Sequence, residues 1–226
     1  MTVETSALTA TRQTLHGVAE QIMAAHTRRM TGSIRLAVRD GALSTVDLPG
    51  PISRIELRDA ALVRFPGGHG VPVVGPLGEV ASHLGVEFGM PDPPYPPASG
   101  CGPEHEAVLD LKATALIEYA WRAGDHALRA LADQTPVVWP EHLDIGITVG
   151  DVNYGVSPGD GYLEQPYAYV GPHVPRSGPF WNAPFGAVRT VAALTSSGDA
   201  VAATLAFFIE GRDLAATASL RSPSTP

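Results

Sequence analysis

Within the stretch "WPEHLDIGITVGDVNYGVSPGD" (residues 139–160), His142 and Asp144 stand at a spacing that suits chemistry. Leu143, Ile145, Ile147 and Val149 alternate along it, the pattern of a β-strand with one buried face. Successive strand side chains point to opposite faces, which sets His142, Asp144, Gly146 and Thr148 together on the other face. Two rises of roughly 3.4 Å put His142 about 7 Å from Asp144, enough to hold a water, a substrate hydroxyl or a metal ion between them. An imidazole titrates near neutrality, and a neighbouring carboxylate orients it and raises its pKa. The pair therefore reads as a general acid/base site, with Asp144, Asp160 or Glu141 as the partner of His142. The bland alternative is the wetted face of an antiparallel sheet.

Adding His173 to His142 and Asp144 gives the ligand set of a mononuclear non-haem iron(II) centre, with Arg189 placed to receive a substrate carboxylate. Against it stand the short gap between the two histidines and the loop position of His173, between Pro172 and "VP". Nucleophilic catalysis has little support. Ser157 lies in "VSPGD" rather than a G-x-S-x-G elbow. Cys101 has His105 four residues on, a pairing that reads more simply as two members of one proline-rich loop. No phosphate-binding P-loop, dinucleotide fingerprint, H-E-x-x-H or paired C-x-x-C is present, so no cofactor is identified. His16, His26, His83 and His126 read as surface or core residues.

Aromatic residues accompany the candidate pair. Tyr154 on the return strand, Tyr167 and Tyr169 on the next, and Trp181 with Asn182 in "GPFWNAPFGA" form a Gly/Pro-braced set of the kind that lines ligand pockets. Core packing is the competing reading for Trp139 and Trp181. The phrases "WPEHLD", "NYGVSPGD", "PYAYVGP" and "FWNAPFGA", in that order, resemble an uncharacterised protein family common in actinobacteria. "TGSIRLAVRDGALST" and "PVVGPLGEVASHLGV" extend the resemblance over most of the chain. It implies no activity and assigns no residue a role.

The elements that must position these residues follow from periodicity and turn signals. Residues 11–30 place Leu15, Val18, Ile22 and Ala25 on one helical stripe, stopped by Gly32. "SIRLAVRD" is a half-buried strand ending in an Asp40-Gly41 turn, and "ISRIELRDAALVRF" is two strands around Asp59. A short helix spans 77–86. Residues 91–106 are too proline-rich for helix or central strand and read as a linker or a rigid strap. The longest helix covers 107–133, with Val108, Leu111, Ala115, Tyr119, Leu128 and Leu131 on its apolar face. Strands follow at 143–149, 152–156 and 166–172. "GAVRTVAAL" (186–194) and "AVAATLAFFI" (200–209) flank "TSSGD" as a second hairpin. The fold class is α+β: a mainly antiparallel sheet with two principal helices packed on it. The parts are 1–90, the strap 91–106 and 107–226, together one compact domain.

Composition bounds the function. A chain of 226 residues with 44% hydrophobic and 17% charged content builds a sizeable core. A net charge of −8 repels phosphate backbones and anionic lipid, which disfavours nucleic-acid and membrane partners. A single cysteine precludes an internal disulfide, and no secretory leader opens the chain, so a cytoplasmic location is expected. The remaining partner classes are a small-molecule ligand and further copies of the chain. The resulting expectation is an enzyme acting on a small polar organic molecule, with a non-catalytic binding or homo-oligomeric module as the alternative.

Overall fold

The computed structural model describes residues 3–196 and 198–219, with the side chains of 217–219 excepted. The N-terminal helix is one continuous coil in three parts. These are α1 (Thr5–Gly17), a π-helical stretch (Val18–Ala24) and α2 (Ala25–Thr31), which Gly32 ends at φ 75°. The stripe Leu15, Val18, Ile22 and Ala25 is fully buried, as its spacing requires.

Among the described residues twelve strands follow, interrupted by helices. β1 (Leu36–Arg39), β2 (Ala42–Thr45), β3 (Arg54–Arg58), β4 (Ala61–Phe65) and β5 (His69–Pro72) form a meander. β6 (Gly75–Pro76) and α3 (Leu77–Leu84) lead to the proline-rich segment, then to β7 (Glu106–Ala107) and α4 (Leu111–Leu131). A second meander holds β8 (Val137–Trp139), β9 (Asp144–Val149), β10 (Val152–Ser157), β11 (Tyr167–Pro172) and β12 (Ala187–Thr190). Two short strands, β6 and β7, pair with each other. The other ten make one antiparallel sheet in the order β12-β11-β10-β9-β8-β1-β2-β3-β4-β5. The two meanders join where Leu36 of β1 pairs with Val138 of β8. The expected α+β architecture is therefore present.

Helices cover one face of this sheet. Leu36, Val38, Ile55, Leu57, Leu62, Val138, Ile145, Ile147, Tyr154, Val156, Ala168 and Val170 all point into the same core. The π-helical stretch packs on β1 and β2, α3 on β4 and β5, and α4 on β9, β10, β1 and β2. Gly124 of α4 permits that last approach, since a Cβ there would stand 2.8 Å from the side chain of Val156.

Two sequence expectations are corrected. First, residues 200–209 are not a strand: α5 (Val191–Thr195) and α6 (Ala200–Ser219) replace the second hairpin. Ala200, Thr204, Phe207, Phe208, Gly211 and Ala215 are buried, a helical stripe in an alanine-rich run, and Asp199 Oδ1 accepts from Val201 N and Ala202 N at its start. Second, the buried face of α4 carries Ala113, Ile117, Ala120, Trp121, Gly124 and Leu128. Val108, Leu111 and Tyr119 of the expected stripe are exposed. Small residues let α4 sit close to the sheet, which outweighs the pull of the larger side chains. The proline-rich segment 91–105 lies against the N-terminal helix at its C-terminal end, as the strap alternative of the sequence reading has it. Ser99 and Cys101 are buried against α1 and the π-helical stretch, where Gly17 leaves room for Cys101.

Candidate functional site

Ordinary strand physics lays the floor of the site. On the sheet face away from the helices, Asp144, Gly146 and Thr148 of β9 adjoin Asn153, Gly155 and Ser157 of β10, and Tyr167 and Tyr169 of β11 follow. Tyr169 pairs with Gly155, and Gly155 with Gly146, so the tyrosine ring lies across two residues without side chains. A Cβ on Gly155 would collide with the Tyr169 Oη and Cζ, and one on Gly146 would stand 3.1 Å from the Oη. Across this cleared lane the Tyr169 hydroxyl donates to Asp144 Oδ2. The other oxygen, Asp144 Oδ1, is sealed from solvent and has no hydrogen-bond partner, and the same holds for Glu141 Oε2. Burial pushes the Asp144 carboxyl above its ordinary value, against the pull of the Tyr169 hydroxyl and of His142. Burial likewise pushes the Tyr169 phenol well up, and the adjacent Asp144 charge adds to it.

His142 reaches this place by a different route from the expected one. β9 begins at Asp144, and residues 140–143 form a turn in which Leu143 takes a left-handed φ of 58°. Leu143 N donates to Trp139 O at 2.8 Å, closing that turn. His142 is exposed at its tip, more than 4 Å from any carboxylate oxygen and without a side-chain hydrogen bond among the described residues. It nonetheless shares with Asp144, Glu141 and Tyr169 the wall between two adjoining hollows. The larger, about 790 Å³, is also lined by Arg12 and His16 of α1, by Ser157, Gly159, Asp160 and Gly161, and by Tyr167 and Phe185. The smaller, about 500 Å³, runs along the sheet face past Trp139, Thr148 and Asn153 to Arg35.

His16 is the residue that sequence reasoning set aside. Its Nε2 lies 2.8 Å from Pro140 O, and a carbonyl only accepts, so Nε2 carries the hydrogen. Burial lowers its pKa, against the attraction of Glu20 and the Pro140 carbonyl, which favours the neutral ring with a lone pair on Nδ1. Arg12, one helical turn earlier, donates from Nη1 to Glu164 O at 2.8 Å. Compared with protein families, curated proteins and solved structures, the chain matches none. The site must speak for itself.

The other sequence candidates are distributed as follows. Asp160 lines the larger hollow, and both its oxygens are hydrogen-bonded: Oδ1 accepts from Tyr162 N and Leu163 N, and Oδ2 accepts from the Tyr167 hydroxyl at 2.5 Å. It braces the 158–164 loop and is not free to orient His142. Tyr167 thus holds the wall through Asp160. Tyr154 points the other way, into the core, edge-on to Phe208 at 5.8 Å. Trp181 packs against Phe180 at 4.9 Å, outside both hollows. Asn182 exchanges two hydrogen bonds with the backbone of Val188 and ties down its own loop.

No iron set is assembled from His142, Asp144 and His173. His173 N bonds to Asp151 O at the opposite end of β9, about 17 Å from Asp144 by strand rise. Among the described residues no three His, Cys, Asp or Glu side chains gather as a metal site. Arg189 is paired with Glu210 at 2.8 Å and lies over Phe207, so it receives nothing from the hollow. Cys101 contacts Gln13 O and Ser99 O, and burial pushes its thiol up, the reverse of what a nucleophile needs. No described helix is long and apolar enough to cross a membrane.

Proposed function

We propose that the paired hollows are the active site of an enzyme that moves protons on a small polar organic molecule, with Asp144 and His142 as its acid and base. The observation that carries this reading is the Asp144 carboxyl: half satisfied by Tyr169, with its second oxygen buried and unpartnered in the wall that both hollows share. Burying such a group without a partner costs stability, and folds retain that cost where the group has work to do. Burial keeps the carboxyl protonated to higher pH than a free aspartic acid, suiting it to donate to a substrate oxygen. Tyr169 fixes its orientation. His142, exposed and without a side-chain hydrogen bond among the described residues, takes the proton that leaves the substrate.

The test is incubation of the purified chain with pools of small organic acids, alcohols and amides in D2O, followed by proton NMR. At least one component is expected to be converted or to exchange a proton. That signal should fall by roughly 10²–10⁴-fold in Asp144→Asn and His142→Ala, the usual contribution of an acid/base group. Binding without conversion, or conversion unchanged in Asp144→Asn, overturns the proposal.

A further inference from the structure

Arg12 is partly buried in the wall of the larger hollow and forms no ion pair among the described residues. Its single hydrogen bond among the described residues goes to the Glu164 carbonyl, which leaves the rest of the guanidinium fork open there. The acid lying nearby in the same wall, Asp160, has both oxygens occupied by Tyr162 N, Leu163 N and the Tyr167 hydroxyl. Burial lowers the guanidinium pKa, and the attraction of Asp160 and Glu164 opposes it. A half-buried guanidinium that makes no ion pair among the described residues keeps donors free for an anion entering the hollow.

We propose that Arg12 seats a carboxylate of the molecule that enters the hollow, so that the substrate is a small organic acid. This rests on the reading of the hollow as an acid/base site and adds the chemical class. A planar fork matches a carboxylate with two parallel hydrogen bonds. A phosphate dianion gathers more cationic donors than one arginine, and the only lysine, Lys112, is exposed on α4 outside both hollows. Arg12 and His16 are one turn apart on α1, so an acid anchored at Arg12 extends past His16 toward His142, Asp144 and Tyr169. The rings of Tyr167 and Phe185 wall the hydrocarbon part.

Isothermal titration of the intact chain with lactate, malate and benzoate, each beside its amide, and with inorganic phosphate tests the class. At least one acid should bind about tenfold or more tighter than its amide, the effect of one charge-assisted hydrogen bond. Arg12→Gln should erase that preference, and Arg12→Lys, which keeps charge but loses the fork, should retain part of it. Arg189→Gln, paired elsewhere, should behave as wild type. Circular dichroism confirms that each variant is folded. Equal affinity for acid and amide, a preference that survives Arg12→Gln, tighter binding of phosphate, or no binding at millimolar concentration overturns the inference. The two readings fail separately. Amides and acids converted alike, dependent on Asp144, sink the carboxylate class and leave the acid/base site. An acid preference lost in Arg12→Gln without any conversion by wild type sinks the acid/base site and leaves the carboxylate seat.

Discussion

Asp144 sits where the fold works against itself. Its folded carboxyl is held above the unfolded value, so the native state binds the proton more tightly than the unfolded chain does. Its contribution is therefore most favourable below the unfolded pKa, and stability is lost as pH rises from there through the raised folded value. Asparagine in its place keeps an oxygen for the Tyr169 hydroxyl and cannot ionise. Asp144→Asn should thus stabilise the chain near pH 7 by about 0.5–2 kcal/mol, while removing activity, and the gain should shrink toward about pH 4. Urea unfolding of both proteins across that range measures it. A variant less stable than wild type at neutral pH would show that the carboxylate is structural. His16 carries the opposite sign. Its depressed pKa contributes stability above the unfolded value, lost as pH falls through the folded one.

The π-helical stretch and the strap work as a pair behind the site. Glu20 is 1% exposed, yet its carboxylate accepts from Ala98 N at 2.8 Å, Ser99 N at 3.0 Å, Ser99 Oγ at 2.5 Å and Gln21 Nε2 at 2.9 Å. Burial alone would raise its pKa; these four donors outweigh it and bring the carboxyl below its ordinary value. The stability this gives is present above the unfolded pKa and lost as pH falls through the folded one. Replacing Glu20 by Gln removes the charge from those bonds, worth about 1.5–3 kcal/mol, and should lower the melting temperature by several degrees while flattening its fall in acid. Calorimetry at two pH values decides it, and an unchanged melting point would mean the strap is held by packing alone. Much of this architecture was readable in advance. Asp40-Gly41 and Gly150-Asp151 announce their hairpins, and the alternation around Asp144 locates the site's strand. Arg12, His16 and Glu20 were not readable as a site, because helical periodicity sees only their apolar neighbours. What gives His16 its role is Pro140, 124 residues away. The α6 helix escapes sequence reading for the reverse reason: "AVAATLAFFI" is apolar on every side over a short window, and only its continuation through Gly211 and Ala215 reveals the helical stripe.

The site exists only when the N-terminal helix and the second meander are folded together, since α1 supplies Arg12 and His16 while β9 to β11 supply Asp144 and Tyr169. One hydrophobic core runs from Leu15 and Val18 through Trp121 to Phe208, and α4 touches strands of both meanders as well as α1 and α6. α4 packs on strands of both meanders, so the two should unfold as one unit although the sheet joins them through a single registered pair. Trp121, fully buried on α4, is the reporter. In a Trp139→Phe, Trp181→Phe background, Trp121 fluorescence and far-ultraviolet circular dichroism should trace the same urea transition. Two separated midpoints would show the halves to be independent. Because a ligand seated between α1 and the second meander binds the whole native state, it should shift that one transition intact. At a hundredfold excess over its dissociation constant the shift is about 2.7 kcal/mol for both probes alike.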